Sequence, residues 1–193
     1  MKSKPKVRQY TRQQINRLEK QREESNGRAA LAHLRRGIGH VPGEIPLLWG
    51  SFLAGLPEEL CSPSGEASYA EWAVYISLTL YALHQQGQGD SMQVNDVSLG
   101  SAAQQLAGND EKQQERIWRR LNLVAQADDI QELSYRLRQL VTLLKAAGIG
   151  LDYALLAADL YDYQFASAAN RVRLRWGQDF FRMNNNKEDN ENE

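Results

Sequence analysis

Between Asp128 and Tyr153, aliphatic side chains fall at Ile130, Leu133, Leu137, Leu140, Val141 and Leu144. Steps of three, four and seven put them on one face of an α-helix. The pattern predicts a helix N-capped by Asp128, with Gln131 at N3, and ended by Gly148. Arg136, Arg138 and Lys145 stand at the margins of its apolar seam, so one element offers a core face and a set of cations.

The rest of the chain repeats that periodicity. A helix starts near Thr11, Ser25-Asn26-Gly27 is expected to break it, and Arg28 to Arg36 forms a second helix that stops at Gly37. Pro46 starts a short helical piece predicted to carry Trp49, Phe52 and Leu53 into the core. Ser68 and Glu71 have capping-box spacing ahead of a segment, Trp72 to Leu83, that is apolar nearly all round and therefore buried nearly all round. Ser98 opens another short helix. Glu111 to about Ala127 places Ile117, Leu121 and Val124 on one side. Asp152 caps a helix over Tyr153 to Phe165, and Ser167 caps the last, Ala168 to Arg182, with Val172, Trp176 and Phe180 at steps of four. No convincing period-two strand occurs. The expectation is an all-α helical bundle of eight to nine helices in two lobes, residues 11–108 and 109–182. A basic flexible leader (1–10) and an acidic disordered tail (183–193) flank them.

Composition adds that 193 residues, 42% hydrophobic and 24% charged, suffice for a real core. The longest apolar run is too short to span a bilayer, and one cysteine excludes an internal disulfide, so a cytoplasmic home without membrane contact is expected. The net charge of −1 hides a strong asymmetry. Residues 1–36 carry 11 Lys/Arg against 3 acids, whereas residues 37–110 carry 8 acids and no Lys or Arg. Such a distribution fits either a polyanionic partner on one face or two halves that neutralise each other inside the fold.

Catalytic chemistry finds little support. His33, His40 and His84 are isolated, with no second ligand at metal spacing, and no metal or cofactor is expected. Cys61 reads as a small half-buried residue, and Asp152, Asp159 and Asp162 as a cap and a solvated face. Gly37-Ile38-Gly39 lacks the preceding strand a phosphate loop needs. No small-molecule substrate is implied.

The arginines carry more signal. Arg116, Arg119 and Arg120 form one stripe, Arg136, Arg138 and Lys145 another, and Arg171, Arg175 and Arg182 a third. Guanidinium groups match phosphate oxygens, and three stripes point to polyanion contact if folding brings them together. The scarcity of exposed aromatics favours backbone contact over base stacking. A helix-turn-helix across Ala147 to Gly150 is excluded, because the would-be recognition helix bears Asp152, Asp159 and Asp162 and no cation.

Five segments, LRRGIGHVPGEIPLLW (Leu34 to Trp49), SLG (Ser98 to Gly100), RRLNLVAQAD (Arg119 to Asp128), YRLRQLVTLLKAAGIGLDYALL (Tyr135 to Leu156) and RVRLRWGQDFF (Arg171 to Phe181), resemble in order and spacing the CasB family. CasB is the small subunit of the type I-E CRISPR surveillance complex Cascade. The resemblance implies a non-catalytic helical subunit, present as two copies, that contacts backbone and large subunits, guide RNA and target DNA, and supports the displaced strand. Carried over, the nucleic-acid candidates are Arg35, Arg36, Arg119, Arg120, Arg136, Arg138, Lys145, Arg171, Arg173 and Arg175. Arg173 falls on the Val172/Trp176/Phe180 side and is expected to be an internal or interface arginine paired with an acid. The alternative is a helical protein-protein adaptor whose arginines only neutralise its acidic first lobe.

Overall fold

The structure, a computed structural model, describes residues 3–188, with side chains through residue 182. Nine α-helices follow one another among the described residues: α1 (Ser3–Lys20), α2 (Ser25–Arg36), α3 (Trp49–Phe52), α4 (Tyr69–Gln85), α5 (Leu99–Ala107), α6 (Glu111–Ala125), α7 (Ile130–Ala147), α8 (Tyr153–Tyr163) and α9 (Ala166–Glu188). β pairing among them is limited to one parallel bridge, Gln93 with Leu151.

Helix α4 is the central strut. Ser68 Oγ accepts from the Glu71 amide while the Glu71 carboxylate accepts from the Ser68 amide, so the capping box read from sequence is formed. From Ala73 to Ala82 every residue of α4 is buried. At roughly 1.5–3 kcal/mol for each large side chain removed from water, this segment supplies a major share of the core. Helices α1 and α4 pack on α8, α5 packs on α6 and α9, and α7 lies against α4, α5 and α6. One continuous apolar cluster runs through these contacts from Val7 to Phe180, and helices from both sides of residue 108 contribute to it.

Several local expectations need correction. Ser3 to Gln9, read as flexible leader, is helical, and Val7 and Tyr10 are buried. The seam of α1 was faint in the sequence because Thr11 and Gln14 are buried beside Ile15 and Leu18. The α1–α2 break falls at residues 21–24, and Ser25-Asn26-Gly27 starts α2. Gly27 lets this turn close: a Cβ there would lie 1.9 Å from the Gln21 carbonyl oxygen. Trp49 does not enter the core; it is 50% exposed, and Leu48 is buried instead. The cap of α7 is Asp129, which accepts from the Glu132 amide, one residue later than expected. Helix α9 begins at Ala166 and continues through residue 188, since no Gly or Pro interrupts it after Gly177. Residues 189–193 of the expected disordered tail lie outside the described residues.

Candidate nucleic-acid interface

Part of the large positive balance of the first 36 residues is consumed within the fold, by four cations of α1. On α1, Lys4 pairs with Asp162 of α8 at 2.5 Å, Lys6 with Glu59, Arg8 with Asp96 at 3.1 Å, and Arg12 with Asp152 at 2.7 Å. For α1, then, the neutralisation reading of the charge asymmetry holds. The acids of α8 are not a solvated face either: Asp152 and Asp159 are buried.

Asp152 caps α8 through the amides of Ala154 and Leu155, both at 3.0 Å, and also accepts from Gln93 Nε2 at 3.1 Å and the Asp96 amide at 3.0 Å. Burial alone would raise its pKa. The bonds from Gln93, Asp96 and Leu155 and the Arg12 charge outweigh that and hold the carboxyl below its ordinary value. Asp159 goes the other way: burial raises it, against the pull of Arg175 and Trp176.

The candidate arginines divide by what they touch. Arg175 is bound to Asp159, whose other oxygen accepts from Trp176 Nε1 at 2.8 Å, so it ties α9 to α8. Arg173 is internal as expected, but its partners are not acids. It donates to the Ala125 carbonyl at 2.7 Å, the Tyr163 hydroxyl at 3.1 Å and Asn170 Oδ1 at 3.1 Å, with its guanidinium 4.8 Å from the Tyr163 ring centroid. Arg136 donates to the Leu123 carbonyl and pairs with Glu132 at 2.5 Å. Arg136 and Arg173 therefore bond carbonyls of the last turn of α6, at its negative end. Arg171, exposed, donates back to the Ser167 carbonyl at 3.0 Å, and Arg119 pairs with Glu115 at 2.5 Å.

Arg36, Arg120 and Arg138 are exposed and have no ion pair among the described residues. Arg120 and Arg136 line one recess between α6 and α7 together with Tyr135. Tyr135 also walls a second recess, lined by Arg138 and by Gly39 to Val41 from the loop after α2. At the far end of α7, Lys145 donates to Gln86 Oε1 at 3.1 Å, and its pKa is lowered by burial and then by the charge of nearby Arg35. The α6 and α7 stripes thus share a surface that continues toward the end of α2. The α9 arginines do not extend it in the same way, because Arg173 and Arg175 turn inward. Sequence reasoning missed Tyr135, although an aromatic residue off the Leu133/Leu137/Leu140 seam was the available signal.

Other chemistry is sparse. Among the described residues no group of three His, Cys, Asp or Glu is placed to hold a metal, and no helix is long and apolar enough to cross a membrane. Cys61 is exposed rather than half-buried, and desolvation with the nearby Glu71 and Glu58 raises its thiol pKa, which disfavours the thiolate.

The profile of a family described as CRISPR-associated protein Cse2 matches residues 30–181. The chain belongs to the Cse2 family. Solved structures of similar proteins agree. CasB from Thermobifida fusca is 33% identical over 90% of this chain and 97% of that one, with a TM-score of 0.76. M. ruber CasB is 26% identical over 87% and 91%, with a TM-score of 0.66. A Cse2-family CRISPR-associated protein from Thermus thermophilus, 24% identical over 89% and 97% with a TM-score of 0.67, shares the fold. No curated protein matches the chain by sequence comparison. Helix α1 lies outside the Cse2 profile match, whereas the α6, α7 and α9 arginines through Arg175 lie within it.

Proposed function

We propose that this Cse2-family protein is a non-catalytic small subunit of a type I-E CRISPR RNA-guided surveillance complex. In that role it contacts the guide RNA and target DNA backbone without reading sequence, stabilises the displaced strand, and touches backbone and large subunits and a second copy of itself. The observation that carries this reading is the α6–α7 surface, where Arg120 and Arg138 are exposed and unspent on internal acids. In RNA-guided recognition, base pairing reads sequence, and protein contacts to the backbone tip a nearly balanced strand exchange. Two or three guanidinium-phosphate contacts are of the right size for that bias.

The test is the double reversal Arg120→Glu/Arg138→Glu in the assembled complex. Arg136 is left intact because it caps α6. The expected result is unchanged assembly, weaker target binding, and a salt dependence shallower by about 0.7 log units for each phosphate that is no longer neutralised. Unchanged target binding by an intact complex would sink the assignment.

A second reading, a protein-protein adaptor, is favoured by a different feature. Leu174 and Phe181 of α9, 62% and 53% exposed, flank an apolar groove against Trp118 of α6. Gel-shift titration of the isolated protein with single-stranded DNA separates the readings. A salt-sensitive shift supports nucleic-acid contact, and none at low salt supports the adaptor.

A further inference from the structure

The side chain of Tyr135 is 63% exposed, more than any other large hydrophobic residue described. It makes no hydrogen bond and no ring contact among the described residues. Other exposed aromatics differ in one respect or the other. Tyr69 meets Phe165 edge to face, and Phe181 packs on Trp118 and Phe180. Trp49 sits in the stretch from 37 to 110 that contains no Lys or Arg. Tyr135 alone among these four combines an unpartnered ring with flanking cations: Arg120 and Arg136 line the recess on one side of it, and Arg138 the recess on the other.

Its position follows from helix geometry. Leu133, Leu137, Leu140 and Leu144 take the buried seam of α7, which turns residues 131, 135 and 138 outward along a neighbouring line. The recess beside Arg138, about 180 Å³, is also bounded by the indole of Trp72 and by the polar side chains of Gln131 and Ser134. A cationic strip interrupted by a free aromatic face is the arrangement that holds single-stranded nucleic acid, with phosphates on the guanidiniums and a base on the ring. Among the acids nearby, Glu132 neutralises Arg136, Glu115 neutralises Arg119 and Glu44 is bonded to His40, which leaves Arg120 and Arg138 as the cations without an ion pair beside the ring.

We infer that Tyr135 is a stacking platform for one unpaired base of a single strand whose phosphates lie on Arg120 and Arg138. This deepens the proposed nucleic-acid role and rests on it, and it changes the expected contact from backbone only to backbone plus one base. Stacking tolerates any base, so the site remains indifferent to sequence.

The experiment uses the full chain at low salt and fluorescence anisotropy with two probes of equal length, labelled oligo-dT and an oligomer of abasic phosphodeoxyribose units. The expected result is about five- to 150-fold tighter binding of oligo-dT, the range that one stacked base contributes. Tyr135→Ala should bring the two probes together by weakening oligo-dT alone, and Tyr135→Phe should preserve the gap. Both substitutions are at an exposed helical site, and circular dichroism verifies the fold. Equal binding of both probes by the unmodified protein, or a Tyr135→Ala variant that keeps the gap, overturns the stacking inference while leaving backbone contact standing. In that case the ring is free to serve a protein partner. Failure of both probes to bind overturns the polyanion reading and the platform together.

Discussion

Asp152 shows how much a single carboxylate can organise. It caps α8, accepts from the 93–96 loop and receives Arg12 from α1, so three segments distant in sequence meet on two oxygen atoms. Asp152→Asn retains a competent cap but loses the charge facing Arg12. The expected cost is about 1–3 kcal/mol, seen as a lower urea midpoint, because the charge-assisted bond from Arg12 is weakened at a buried acceptor while Arg12 itself stays partly solvated. His84 makes a second residue-scale prediction. It is buried on Tyr153 at 2.8 Å, and burial together with the Lys145 charge, opposed by the Leu144 carbonyl, lowers its pKa to about 4. The unfolded chain takes up this proton near pH 6.5 and the folded protein only near 4, so stability is lost as pH falls through that window. The loss is on the order of 3 kcal/mol at about 1.4 kcal/mol per pH unit. His84→Gln should flatten that part of the stability-pH curve, whereas the Asp152 contribution, lost at still lower pH, should remain.

Among the elements, α5 and α9 approach closely at Gly100. A Cβ on Gly100 would lie 2.2 Å from the Trp176 carbonyl oxygen, and Ser98 Oγ donates to Asp179 at 2.7 Å across the same contact. Helix propensity favours Ala over Gly by about 1 kcal/mol. Gly100→Ala should nonetheless lower the thermal midpoint, by the equivalent of about 1–3 kcal/mol, because the two backbones must part. A rise in the midpoint would show that the contact yields easily. The same contrast explains what the sequence made legible. Caps written in adjacent residues, Ser68 with Glu71 and Asp152 ahead of α8, were readable because the partner lies within one turn. Asp128 and Asp129 offer locally equal caps, so choosing between them was beyond local pattern. Arg173 and Arg175 are two residues apart on α9, and only the position of α8 decides that Arg175 takes the acid. The interface residues were legible as a set of cations; which of them remain unspent was not, because that depends on acids far away in the chain.

On the scale of the whole molecule, charge asymmetry is resolved in two ways. The cations of α1 close onto α8 and the acidic middle segment, while Arg36, Arg120 and Arg138 stay available at the surface. Deleting residues 1–20 should therefore abolish cooperative melting followed by circular dichroism, even though that segment lies outside the Cse2 profile match. Retention of a sharp transition would show that α4 to α9 hold a core without α1.

The packing of α1 on α8 also sets an order of events during synthesis. Lys4 and Asp162 are separated by 158 positions, so the first helix can meet α2 and α4 early but lacks its largest packing partner, α8, until most of the chain has left the ribosome. At about 5–20 residues per second, Val7, Tyr10, Ile15 and Leu18 wait on the order of ten seconds or more for α8 to emerge. Contacts of such long sequence separation also slow refolding of the intact protein. A nascent chain stalled before Tyr153 should expose these residues to chaperone and protease, and release of the stall should hide them.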